Sequence, residues 1–164
     1  MSLPEPRPRS DIVCYHEAGH AVACWHYGVE LHYVCVRHVA DGAHLGETKT
    51  IDRASVTGGA ELEAEMNCDA AGDIAQKRLF PTQRVPTDRE LLAAWEVFPA
   101  RLSNEPELAV EDTAGFLRNA QVRDEEIRKM GTGAPTGPTE WLRIWRAAEH
   151  LLRGELWPAV EAVA

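Results

Sequence analysis

His16, Glu17 and His20, within the stretch HEAGHAV, are the residues whose types and spacing could do chemistry together. On an α-helix, positions four apart stand one above the other on one face, so the two imidazoles can grip one cation through neutral ring nitrogens. Glu17 is rotated by about 100° from His16 and reaches the side where an open coordination position would hold water. Zinc lowers the pKa of such a water to about 7, and a neighbouring carboxylate can take its proton during attack on a carbonyl. The H-E-x-x-H spacing therefore carries a mechanism, metal-assisted hydrolysis, with His16 and His20 as ligands and Glu17 as general base. The bland alternative is three polar residues that share a helix.

The elements around the motif decide between these. Ser10 as N-cap and Asp11 in the first turn open a helix, where the macrodipole favours a negative charge. Over 12–27 only Gly19 weakens it, by about 1 kcal/mol relative to alanine, and Gly28 supplies the stop. Residues 30–39 alternate with period two, Leu31, Tyr33 and Cys35 against His32, Val34 and Val36, and predict a strand. Residues 40–43 (ADGA) carry turn chemistry, and 45–51 can return as a second strand. After Gly58 and Gly59 a second helix follows, with Leu62, Met66, Ala70 and Ile74 on one face and Ala64, Cys68, Ala71 and Ala75 beside them. Its small residues permit a close neighbour, and it ends before Pro81.

Thr87 and Glu90 fit a capping box that opens a third helix through about Phe98. Asn104 to Glu107 open a fourth that reaches about Lys129. GTGAPTGPT is a connector, and two last helices cover 139–153 and the region from Trp157. Four tryptophans, Trp95, Trp141, Trp145 and Trp157, suit a core. The expected fold is mainly α with a small β-hairpin or three-stranded sheet. Residues 1–9 form a Pro-rich, disordered lead-in and 10–164 one domain. The final helical pattern is still running at Ala164, so the natural chain is expected to continue.

Composition narrows the function. The 164 residues are 45% hydrophobic and 26% charged, with a formal net charge of −9, which argues against a nucleic-acid binder. No apolar run approaches the roughly 20 residues of a membrane span, and MSLPEPRPRS lacks the apolar stretch of a secretory signal. Cys14, Cys24, Cys35 and Cys68 contain no C-x-x-C pair and read as reduced, mostly buried thiols of a cytoplasmic protein.

A zinc site needs a third ligand. His26 completes the spacing H-E-x-x-H-x-x-G-x-x-H, but Ala23 stands where the glycine would let the chain turn. On a continuing helix His26 lies about 9 Å along the axis from His20 and cannot converge. Two sources remain. Glu61, Glu63 and Glu65 read better as a solvated helix start, and Asp88 sits in a capped first turn that holds a carboxylate rigid and ionised.

With these residues assembled, the chain resembles the zinc metallopeptidase domain of FtsH-type AAA proteases. HEAGHAV is similar to that family's signature, VCVRHVADGAHLGETKT to its strand-turn-strand, MNCDAAGDIAQKRL to its small-residue helix, and Thr87-Asp88-Arg89-Glu90-Leu91 to its aspartate element. The resemblance spans roughly residues 10–98. It implies a helical, zincin-like peptidase domain with His16, His20 and Asp88 on Zn2+ and Glu17 as base. It also implies peptide or unfolded-protein substrates and a possible partner protein or homo-oligomer. Gln76 departs from the family's glutamate, and no G-x-x-x-x-G-K-[ST] of an ATPase module occurs. The other reading is a non-catalytic, metal-binding module of the same fold that docks a protein partner.

Overall fold

The computed structural model describes residues 9–38, 44–50, 58–79 and 85–164. Their order is α1 (Arg9–Tyr27), β1 (Leu31–His38), β2 (His44–Thr50), α2 (Gly59–Arg78), α3 (Asp88–Asn104), a 3-10 turn (Pro106–Val110), α4 (Asp112–Met130), α5 (Pro138–Arg153) and α6 (Trp157–Val163). The protein is mainly helical with one small antiparallel hairpin, as its periodicities predict. Most of the Pro-rich lead-in and the turn expected at 40–43 lie outside the described residues, as do 51–57 and 80–84.

α1 ends where Gly28 takes φ 70°. The Val29 N–H reaches back to Cys24 O at 2.8 Å and that of Gly28 to Trp25 O at 3.4 Å, the pattern of a left-handed glycine cap. Its start differs from expectation, because helix geometry already includes Arg9 and so places Ser10 in the first turn. α1 lies against α2, and Gly19 is what lets it. A Cβ there would stand 2.5 Å from Ala71 O and 2.6 Å from Ala75 Cβ, closer than real side chains pack. The small-residue face of α2 thus accepts α1 nearly backbone to backbone, with Ala70, Ala71 and Ala75 all but inaccessible.

The remaining helices build the larger apolar core. Trp95 of α3, Phe116 of α4 and Trp145 of α5 meet with ring centroids 5.1 to 5.9 Å apart, distances at which offset and edge-on aromatic pairs are favourable. The capping box forms as Thr87 Oγ1 accepts from Glu90 N–H and Glu90 Oε2 accepts from Thr87 N–H at 2.7 Å. α3 does not stop at Phe98; it runs through Pro99 to Asn104. A 3-10 turn then separates it from α4, whose first residue is Asp112. That break was not expected within the fourth helix, and it decides the site.

The hairpin stacks on α1. β1 and β2 pair antiparallel with Val34 opposite Thr48 and Val36 opposite Gly46. Among the described residues no helix is long and apolar enough to cross a membrane.

Candidate metal centre

His16 and His20 occupy the same face of α1, one turn apart, and both point across the α1–α2 seam. Each ring is oriented by an acceptor on α2. His20 Nδ1 lies 2.7 Å from Cys68 O, and His16 Nδ1 lies 3.1 Å from Gln76 Oε1. A carbonyl oxygen can only accept, so both Nδ1 atoms carry the proton in these bonds and both neutral rings offer an Nε2 lone pair. Those two Nε2 atoms stand 3.2 Å apart. Gly72 provides the room, since a Cβ there would fall 2.3 Å from His20 Nε2 and 2.7 Å from His16 Nε2.

The third group is Asp112. Its Oδ2 lies 3.2 Å from His16 Nε2 and 3.3 Å from His20 Nε2. The atom is buried yet has no hydrogen bond of acceptable geometry. With both rings neutral, three electron-pair donors converge around one point. His16, His20 and Asp112 can hold a metal ion, and the orphaned Oδ2 is what such an ion would satisfy.

Charge follows the same geometry. Burial opposes a charged His20, but the Asp112 carboxylate beside it overrides burial and raises the imidazole to about 9. Asp112 is likewise opposed by burial, and the two histidines hold it well below the usual carboxylate range. In the metal-free protein His20 therefore carries a proton between these groups, and an ion held there would have to displace it. The side chains of His16 and Asp112 keep 23% and 21% of their exposure, so the group can be reached from solvent.

A cavity of about 500 Å³ opens onto these residues, walled by Glu17, Thr48, Cys24, Cys68 and Asp69 among others. Glu17 is buried, and its Oε2 accepts a hydrogen bond from Thr48 Oγ1 at 2.6 Å. Asp69 lies on the opposite helix, where burial pushes its carboxyl up to about 7 against the Asn119 amide bonded to it at 2.9 Å.

Asp88 is not in this group. It opens α3, which buries Leu91, Trp95 and Phe98 and packs chiefly against the 3-10 turn and α5. Its carboxylate is exposed and pairs with Arg146, whose Nε lies at 2.9 Å and second terminal nitrogen at 2.8 Å. Asp88, expected as the third ligand, thus stands outside the group that could hold a metal, and Asp112, an aspartate in the first turn of α4, stands in it. The sequence predicts a continuous helix from near 104, which puts residue 112 in its interior and hides it as a helix-start carboxylate. Glu111-Asp112 after the Pro106 turn is the signal that could have found it.

His26 is exposed and meets the Tyr27 ring edge-on instead of turning toward His20. Among the second-helix acids, Glu63 pairs with Arg123 and Arg143. Gln76, the departure from the resembled pattern, has a definite place as the acceptor that orients His16. No family model matches the chain, and neither does any curated protein or solved structure.

Proposed function

We propose that this protein is a zinc-dependent metallopeptidase with His16, His20 and Asp112 as ligands and Glu17 as general base. The observation that carries the reading is the convergence of two oriented Nε2 atoms and an orphaned Oδ2 in the wall of a cavity that Glu17 also lines. Two neutral imidazoles and one carboxylate, with room for a further ligand, suit catalytic zinc. When bound, the ion supplies Lewis acidity that polarises a carbonyl and makes water acidic near neutral pH. The chain's own residues do the rest. Cys68 O and Gln76 Oε1 fix the imidazole tautomers, Asp112 contributes the negative charge, and Glu17 takes the proton of the attacking water and returns it to the leaving amine. Extended peptides or unfolded proteins are the proposed substrates, in keeping with the resemblance to FtsH-type peptidase domains.

The reading is tested by loading the chain with zinc and following cleavage of casein by wild type and Glu17→Gln. We expect cleavage by wild type, and a loss of about a hundredfold or more in Glu17→Gln with its zinc retained, the scale of general-base catalysis. Equal activity in the two proteins would remove Glu17 from the mechanism.

A further inference from the structure

β2 brings two positions against Glu17, and neither is needed to hold the metal ligands. Thr48 Oγ1 lies 2.6 Å from Glu17 Oε2 and 3.4 Å from the Glu17 backbone oxygen. Two residues earlier on the same face, Gly46 leaves no space for a side chain. A Cβ there would stand 2.2 Å from Glu17 Oε1, 2.5 Å from Cγ and 2.6 Å from Cδ. The carboxylate is thus pressed along bare backbone on one side and held by a hydroxyl on the other. Glu17 belongs to α1 and Thr48 to a strand 31 residues away, so the contact is tertiary.

A glutamate side chain has several rotamers, and a base must be held within a fraction of an ångström of its proton. A hydroxyl donating to one carboxylate oxygen removes much of that freedom. We infer that Thr48 is a positioning residue that fixes Glu17 beside the metal. Its hydroxyl anchors Oε2 while Oε1 lies along the bare backbone of Gly46, so the carboxylate is held in one orientation in the cavity wall. Gly46 is the companion requirement, because any larger residue drives the carboxylate out of place. This rests on the reading of Glu17 as base. A purely structural role, tying the hairpin to α1, would also use the bond, so the test must read the carboxylate itself.

Acetohydroxamate does this without turnover. It chelates a metal through its two oxygens and presents a hydrogen to a neighbouring carboxylate. Zinc-loaded wild type, Thr48→Val, Thr48→Ser and Glu17→Gln are titrated with it, with zinc content and melting temperature measured alongside. Valine keeps the shape and the β preference while removing the hydroxyl. Thr48→Val and Glu17→Gln should each weaken binding about tenfold or more, the scale of one charge-assisted hydrogen bond. Thr48→Ser should stay within about twofold of wild type, and zinc content should not change. Where casein is cleaved, Thr48→Val should lower kcat and leave KM in place. Undiminished hydroxamate binding in Thr48→Val beside a loss in Glu17→Gln overturns the inference, as does undiminished binding in Glu17→Gln. Wild type that binds hydroxamate with the expected variant pattern but leaves casein intact contradicts the peptidase reading alone.

Discussion

The first turns of α3 and α4 invite comparison, because each begins with an aspartate that the helix dipole favours. Asp88 has the better local credentials, with a complete capping box beside it. Asp112 follows Glu111, which makes no side-chain cap. Yet Asp88 is exposed and neutralised by Arg146, whereas Asp112 is turned inward, its Oδ2 facing two imidazoles without a hydrogen bond of good geometry. Local sequence chemistry makes a helix start; only packing decides what the start faces. α4 lies along α2, the same helix whose Cys68 and Gln76 orient the histidines, so its first residue is delivered to them. α3 packs on the aromatic cluster and delivers its first residue to solvent.

The comparison can be broken most severely at Gly72, the residue that leaves space between α2 and both rings. Gly72→Ala puts a methyl within 2.3 Å of His20 Nε2, and these rings cannot swing away while Cys68 O and Gln76 hold them. Loss of stoichiometric metal is expected, by metal analysis after dialysis, in a chain that keeps its helical circular dichroism.

A smaller effect concerns pH. In the metal-free protein His20 is raised from 6.5 to about 9, so it binds its proton more tightly folded than unfolded. The stability this contributes is fully present below about pH 6.5 and is lost as pH rises through 9. The melting temperature of the metal-free chain should therefore fall over that interval. With metal bound the proton is gone and the fall should vanish, provided the metal stays saturating; metal affinity itself should weaken as pH drops below 9. A metal-free melting curve flat from pH 6.5 to 9 would contradict the Asp112–His20 pairing.

The smallest effect is at Asp88. Its pair with Arg146 is solvent-screened and should contribute no more than about 1 kcal/mol. Asp88→Ala should therefore shift the denaturation midpoint only slightly, a prediction that a large loss in urea unfolding would refute.

Much of this arrangement was legible in the sequence. Period-four apolar positions in α2, the alternation of β1, the Gly28 stop and the Thr87–Glu90 box all depend on neighbours within a few residues, and the structure has each of them. The pairing of His16 and His20 was legible for the same reason, since helical spacing alone places them on one face. The third member of the group was not. Asp112 lies 92 positions beyond His20, and its place follows from the 3-10 turn Pro106–Val110, after which the helix restarts at 112. Gly19, read only as a weak point in α1, is the contact that admits α2. The orienting role of Gln76 and the hold of Thr48 on Glu17 likewise depend on tertiary packing and leave no local pattern.

The most direct measurement is zinc stoichiometry in wild type, Asp112→Ala and Asp88→Ala after dialysis against a competing chelator of graded strength. One zinc per chain in wild type and Asp88→Ala, with Asp112→Ala losing it to a much weaker chelator, is the result these contacts predict. Zinc retained by Asp112→Ala and lost by Asp88→Ala would contradict them.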